Sequence, residues 1–429
     1  MRSVRNSGNG DAPTDTAGRA YGRSPAIPDE TIVRCGPGTL GGELLRRYWQ
    51  PVAMSTEPSD IPKLVKILDE ELILFRDKLG TPGLLYPRCM HRGTNLLYGK
   101  IEKNGIRCCY HGWLFDAEGH CLEMPCEPAN PGRKNIRQPW YPLVEKFGII
   151  FTYMGPPAKQ PAFPHFTLED DMTSDEKIVA STRDTGPNGP PVGPLKKMAA
   201  WADYNWFQMF DNFMDAYHVP VLHAMINGIQ FEPSLGIMPD VKFEKTDDGV
   251  RSVQHRRLPD GRMHQRISQV ILPNMNSTAG VTDEDLSRAG IGWTVPIDDT
   301  HYRNFGLSRI NTVRNIQTDY ARLGMLRDDW GPGKPLREWS VEDHQRWQND
   351  YTAQKGQGDI SLHSEEHLTR IDGGVALMRK LFREQAEAVA RGEDPIGVSR
   401  DKPYVVKVQG SNAILDPVTM ERVEGFDWR

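Results

Sequence analysis

The chain has 429 residues, 38% of them hydrophobic and 25% charged, with a formal net charge of −5. That length is enough for the cores of two or three domains, which excludes a single small module. It offers no basic excess for nucleic acid, no run near the roughly eighteen apolar residues of a membrane span and no apolar secretory signal, so no nucleic-acid partner, no membrane and a cytoplasmic location are expected.

Residues 1–28 are rich in Gly, Ser, Asp, Arg and Pro without a hydrophobic period, and predict a disordered tail. Residues 42–49 predict a short helix, with Leu44 above Tyr48 and Leu45 above Trp49, stopped by Pro51. Apolar runs at 64–68, 71–76 and 84–87 predict strands of a small all-β domain.

The densest chemistry follows: Cys89-Met90-His91, sixteen further residues, then Cys108-Cys109-Tyr110-His111-Gly112-Trp113. Cys and His come in the same order in each knuckle. Each knuckle can therefore give one ligand to each iron of a Rieske [2Fe-2S] cluster, Cys89 and Cys108 as thiolates, His91 and His111 as neutral imidazoles. Replacing two thiolates by imidazoles removes negative charge and raises the reduction potential, which suits a centre that passes single electrons onward. A structural zinc ion could use the same four side chains. Cys35, Cys109, Cys121 and Cys126 read as small buried or partly buried residues, not as a disulfide framework.

Residues 89–128 closely resemble the Rieske domain of ring-hydroxylating oxygenases. The resemblance implies a third loop, bearing proline, over the cluster, and Pro125 is its candidate. Cys109 departs from the family, which often has proline there; the Cys-x-x-His spacing selects Cys108 as the ligand.

Residues 146–154 predict an apolar strand of Phe147, Ile149, Ile150, Phe151 and Tyr153, and the Pro-rich 158–164 predict a linker. The boundaries expected are 29–160 for the Rieske domain and 161–429 for a catalytic domain. In the second part, strands are expected at 243–245, 250–256, 265–272, 292–296 and 302–311, and helices at 201–218 and 373–390. Val375, Met378, Leu381, Phe382 and Val389 recur at helical spacing in the last helix, with Gly392 as its cap. The class is α+β.

Within 201–218 and beyond lie His218 and His223, about 140° apart on a straight helix, which would not chelate. Pro220 falls between them and bends or ends the helix, letting His223 swing back. Asp211, Asp215 and His218, at i, i+4 and i+7, are expected on one helical face. Two histidines and one carboxylate leave open positions on non-haem Fe(II) for dioxygen and substrate; zinc enzymes use similar ligands. An electron-supplying cluster upstream calls for a redox-active acceptor, which zinc is not. Helical spacing allows Asp343 or Asp350 as the carboxylate. His344, His363 and His367 are read as surface or helix-contact histidines, since the set is already complete.

The motif Asp-x-x-His-x4-His is similar to the same oxygenases. By that resemblance His218 and His223 hold iron, and Asp215 accepts from His218 and from His111 of a neighbouring subunit. Similarity to the phthalate dioxygenase branch, in Gln348-Asn349-Asp350, Gln357-Gly358 and 364–368, favours Asp350 as the third ligand. Asn205, Trp206, Gln208 and Asn212 position the helix or solvent, with Asp211 and Asn212 competing for one role.

The resemblance spans about residues 30–395 and implies the terminal oxygenase (alpha) subunit of a Rieske non-haem iron system. It implies a helix-grip catalytic domain, a [2Fe-2S] cluster, mononuclear Fe(2+), and a trimer or stacked hexamer. It also implies an NAD(P)H-dependent reductase or ferredoxin as donor, O2, and an aromatic substrate, often an acid. The chain has no Gly-rich dinucleotide fingerprint after a strand, so an external reductase is expected. Arg251, Arg303 and Arg309 could grip a carboxylate, or be strand surface residues. Two other classes compete: a Rieske electron carrier, which needs only the first 160 residues, and a zinc-stabilised binding protein.

Overall fold

A computed structural model describes residues 25–183, 203–226, 228, 233–279, 290–311, 331–332, 334 and 336–423. Residues 1–24 of the expected tail, and 201–202 of the expected helix, lie outside the described residues. From Ile27 the chain is tied down: Ile27 and Ser364 exchange hydrogen bonds, and the Asp29 amide donates to His363 Nδ1 at 3.1 Å.

After a one-turn helix at Glu30–Val33, the expected helix runs over Leu40–Leu45, capped by Thr39, whose hydroxyl accepts from the Gly42 amide. It ends four residues before the expected 49. Trp49 instead opens the edge strand Trp49–Met54, and Pro51 sits in that strand next to a bulge, as an edge position permits. The strand pairs with Ile149–Tyr153, which pairs with Leu143–Lys146. The run expected as one strand at 146–154 is thus the second arm of a hairpin. Phe147 (φ 57°) and Gly148 (φ 81°) make its two-residue turn, the left-handed pair that suits the twist of the flanking strands.

A second three-stranded sheet, Lys63–Ile67, Glu70–Arg76 and Pro82–Leu85, leads into a four-stranded sheet of Lys100–Glu102, Gly105–Arg107, Leu114–Phe115 and Cys121–Glu123. Ile73, Phe75, Leu85, Leu96, Ile106 and Phe115 pack beneath the Cys/His knuckles as a small core of their own.

The C-terminal half is built on an eight-stranded antiparallel sheet. Its path runs Glu176–Arg183, His301–Asn311, Gly290–Asp298, Met275–Thr278, Met263–Ile271, Gly249–Arg257, Asp240–Lys245, and Ser411–Leu415 also pairs with Met263–Ile271. The helix Gly373–Ala390 runs over it as expected, with Gly392 left-handed (φ 85°) just past its end. A Cβ on Gly374 would lie 2.5 Å from the Phe243 ring, so the missing side chain is what lets the helix approach.

Trp49, Ile149 and Phe151 from the N-terminal sheet share one core with Trp293, Met378 and Phe382, each buried side chain contributing roughly 1.5–3 kcal/mol. The Pro-rich segment at 158–164 is packed: the Trp49 indole donates to the Pro161 carbonyl at 3.0 Å, and Phe163 meets Phe151 edge-on. Cys35 and Cys121 are buried, but Cys109 and Cys126 are exposed, against expectation. Both lie in turns outside the strands, next to the second knuckle. No helix among the described residues is long and apolar enough to cross a membrane.

Candidate cluster site and candidate metal centre

The two knuckles are built alike. In the first, the Cys89 amide donates to the Thr94 carbonyl (2.9 Å) and the Gly93 amide to the Cys89 carbonyl (2.8 Å). In the second, the Cys108 amide donates to Trp113 (2.8 Å) and the Gly112 amide to Cys108 (3.1 Å). Gly93 (φ 77°) and Gly112 (φ 76°) supply the left-handed step that closes each loop. A Cβ on Gly112 would fall 3.0 Å from the Pro125 ring, so the Pro125 loop lies over the second knuckle. Cys126, next along, donates to the His111 carbonyl at 3.8 Å.

The four side chains converge. Cys89 and Cys108 are buried; the His91 and His111 rings have centroids 4.5 Å apart, and Trp113 stacks on His91 at 4.5 Å. Burial pushes the Cys89 thiol up to about 12, and the neighbouring Cys108 adds to the rise. Burial, with His111 beside it, lowers the His91 pKa, which keeps that imidazole neutral. His91 Nδ1 is buried without a hydrogen-bond partner. Two buried thiols side by side, next to two imidazoles of which one has an unused ring nitrogen, form a donor set that fits a metal cluster.

The second site lies across three segments. The expected helix at 201–218 runs only over Trp206–Asn212, started by the Asn205 side chain, which accepts from the Phe207 amide at 3.0 Å. The chain then turns, resumes as a single helical turn at His218–Pro220, and widens into a π-helix at Val221–Ile226. A π-helix bonds i to i+5. The step from His218, in the α-turn, to His223, in the wider helix, crosses this change of winding, and the two rings sit 5.5 Å apart. Pro220, lacking an amide proton, lies where the register changes.

Because of the turn, Asp211, Asp215 and His218 do not share a helical face. Asp211 points to the buried Arg379, which also binds Glu366. Asp215 Oδ1 accepts from the amides of Tyr217 (2.9 Å) and His218 (3.2 Å). His218 Nδ1 donates to the Asp215 backbone carbonyl at 2.6 Å, with the Asp215 carboxylate 3.8 Å away. A carbonyl only accepts, so Nδ1 carries the proton and the Nε2 lone pair is left for a metal.

Asp350, the first residue of helix Asp350–Lys355, brings its carboxylate 3.0 Å from His223 Nε2 and 3.7 Å from His218 Nε2. Among the described residues, donor atoms of His218, His223 and Asp350 lie within 4.8 Å of one another. Asn212 Nδ2 stands 3.4 Å from both His218 Nε2 and Asp350 Oδ1. Asn212, not Asp211, thus faces the centre. Asp343 is elsewhere: it closes a capping box with Ser340 and pairs with Lys334. His344 meets Thr352, His363 meets Asp29, and His367 is exposed. His223 is buried while the Asp350 carboxylate is 41% exposed, so the centre is held on one side and open on the other. Two imidazoles, one carboxylate and open space fit a mononuclear ferrous ion.

Of the supports of this centre, Gln208 was read in the sequence as positioning the helix, while Tyr204, Tyr302 and Gln354 carry no motif and were missed. Tyr204 donates to Gln354 Oε1 at 2.6 Å and meets the Tyr302 hydroxyl at 2.7 Å; Gln208 donates to the carbonyls of Gln354 and Gly358. They bind the Asn212-bearing helix to the Asp350-bearing one. Their polarity in otherwise apolar surroundings is the only signal the sequence offers. Arg251, Arg303 and Arg309 pair with Glu244, Glu57 and Glu176.

Residues 48–147 match the Rieske [2Fe-2S] domain family. The chain is 42% identical to the phenoxybenzoate dioxygenase subunit alpha of Ectopseudomonas oleovorans, over 92% of this chain and 94% of that one. It is 37% identical to the tert-butanol monooxygenase / tert-amyl alcohol desaturase oxygenase subunit of Aquincola tertiaricarbonis, over 86% and 78%. Among solved structures, NdmA of Pseudomonas putida CBB5 with caffeine superposes with a TM-score of 0.59 at 21% identity, covering 85% of this chain and 100% of that one, a likeness of fold. The chain belongs to the Rieske non-haem iron oxygenases, as an oxygenase (alpha) subunit of the branch that includes phthalate dioxygenase, and such subunits carry a [2Fe-2S] cluster and a mononuclear iron.

Proposed function

We propose that this subunit takes electrons one at a time from an NAD(P)H-dependent reductase or ferredoxin and uses O2 to cis-dihydroxylate a substituted aromatic acid. Cys89, His91, Cys108 and His111 hold the cluster; His218, His223 and Asp350 hold the iron. The carrying observation is one chain with a paired-thiol, paired-imidazole lobe and, separately, two histidines and a carboxylate within 4.8 Å. When bound, the cluster stores single electrons and the ferrous ion activates dioxygen.

The protein's own part is positional. Trp113 and Pro125 shield the cluster ligands, and the Asp215 carbonyl fixes the His218 tautomer. Asn212 offers an amide donor beside the open side of the centre. Asp215 lies at the surface end of the iron site, 37% exposed. That exposure suits a carboxylate that also accepts from His111 of a neighbouring subunit, in a head-to-tail trimer or stacked hexamer. The working division is a Rieske domain at 29–160 and a catalytic domain at 161–429, in a cytoplasmic enzyme.

A second reading is monohydroxylation, favoured by the 37% identical relative that is named a monooxygenase, or oxidative demethylation, favoured by a 31% identical relative that is named an O-demethylase oxygenase subunit. The test is reconstitution with iron and sulfide, then turnover of aromatic acids with a reductase under 18O2. Two labelled atoms in the ring product support dihydroxylation; one labelled atom in the ring product, or an unlabelled ring product with released formaldehyde, supports the second reading. A protein that holds no acid-labile sulfide after anaerobic reconstitution would overturn both.

A further inference from the structure

Asp211 and Asn212 are neighbours in sequence, yet only the amide stands beside the two histidines. The helix Trp206–Asn212 presents two faces, set by the turn of about 100° between consecutive residues. Phe207 and Asp211, one turn apart, meet the C-terminal helix: the Phe207 ring lies edge-on to Phe382 at 5.3 Å, and the Asp211 carboxylate pairs with Arg379. Gln208 and Asn212, also one turn apart, meet the helix that carries Asp350. A slip of one residue here would put a carboxylate where the amide stands.

Arg379 is 6% exposed and engages all three of its nitrogens. Nε lies 3.2 Å from Asp211 Oδ1 and 3.1 Å from Oδ2, and Nη2 also donates to Oδ2. On its other side Nη2 is 3.1 Å from Glu366 Oε1, and Nη1 bonds Oε2. The Glu366 amide donates to the His363 carbonyl, and His363 in turn accepts from the Asp29 amide, so the second carboxylate sits on a segment that is itself tied down. A seven-residue helix frays at its last turn, which is where Asp211 and Asn212 lie. Apolar contact with Phe382 has no direction, whereas a guanidinium fork fixes the plane of the carboxylate it grips. The same C-terminal helix reaches the turn that follows: a Cβ on Gly374 would lie 3.1 Å from the Met214 carbonyl.

We propose that Arg379 is a positioning residue of the iron site. By holding Asp211 on the C-terminal helix, it sets the last turn of Trp206–Asn212 so that the Asn212 amide, and no further carboxylate, stands at the open side of the centre. A buried ion pair adds little net stability compared with apolar packing, and its gain here is the choice of one register over another. An amide at that place donates a hydrogen bond to an oxygen held at the centre. A second carboxylate there would compete for the metal and add negative charge. The inference rests on the oxygenase reading and goes beyond it, to the residue that sets which neighbour faces the iron.

The test is an anaerobic titration of the iron-loaded, full-length protein with nitric oxide, followed by electron paramagnetic resonance, with iron content and melting temperature measured alongside. Asn212→Ala is expected to bind nitric oxide about three- to tenfold more weakly, the loss of one neutral hydrogen bond, with a changed resonance of the adduct. The pair Asp211→Leu with Arg379→Met removes both charges together; it is expected to melt near the wild-type temperature and to show the same weakening. Adding Asn212→Ala to that pair should cost nothing more, because the pair acts through Asn212. Arg379→Lys, which keeps the charge without the fork, is expected to restore only part of the affinity. A wild-type adduct and affinity in the iron-loaded pair, or a loss that adds in full to that of Asn212→Ala, overturns the proposal. If the pair does not fold, Arg379→Lys decides by the same reading, and a wild-type adduct there overturns it. A wild-type protein that takes up no mononuclear iron sinks the oxygenase reading, which these variants do not address.

Discussion

Asp350 Oδ1 lies 3.0 Å from His223 Nε2 across 127 residues of sequence, while Asp343, one helix earlier, spends its carboxylate on Ser340 and Lys334. Spacing alone left the two aspartates equivalent. Geometry gives them different work: Asp350 stands at the start of its helix facing the histidines, and Asp343 stabilises the start of its own.

Asp350→Ala is therefore expected to lose most of the mononuclear iron, and more activity than the roughly 10–100-fold that removing an outer partner costs. Asp343→Ala should keep its iron and most of its activity. Metal analysis of both variants checks this, and equal iron loss in the two would be fatal to the assignment.

Tyr204 ties Tyr302 to Gln354 in a buried place. Tyr204→Phe takes from buried Gln354 Oε1 the hydroxyl that donates to it, so a loss of about 1–3 kcal/mol in denaturant unfolding is expected. Iron should also leave faster, because Gln354 shares a helix with Asp350. An unchanged iron off-rate would mean that the centre does not depend on this tie.

Asp215→Asn keeps the side-chain oxygen that caps Tyr217 and His218 but removes the negative charge. Both metals should stay, and reoxidation of the reduced cluster in a substrate-bound single turnover should slow by about 10–100-fold. Stopped-flow absorbance of the cluster measures it; a wild-type rate would remove Asp215 from the electron path.

Loading the cluster displaces protons from thiols, one of which burial holds up to about 12. Cluster binding should therefore weaken as pH falls, seen as bleaching of the visible absorbance. The metal-free protein should behave in the opposite sense. There the folded state keeps a proton that the unfolded thiol, near 9.0, has released. Its stability is thus complete below about pH 9 and lost as pH rises toward 12. Melting curves of the metal-free protein at pH 7 and pH 10 test the sign.

Both sets of candidate ligands were legible because their chemistry is local. Cys-x-His and Cys-x-x-His close short turns whose glycines and spacing are written in consecutive residues, and the C-terminal helix announces itself through Val375, Met378, Leu381, Phe382 and Val389. The hairpin turn at Phe147-Gly148 was less legible. There an apolar residue occupies a left-handed position, and its side chain gains more from packing near Phe166 than it loses in the turn.

What the linear order by itself determined is the candidate ligands at each knuckle and on the His218–His223 segment, since neighbours in sequence must be neighbours in space. Only the tertiary structure decided that Asp350 stands beside the two histidines, where spacing left Asp343 open and resemblance favoured Asp350, and that Asn212 and not Asp211 faces them. Those outcomes depend on how separate helices register against one another. No local spacing contains that information.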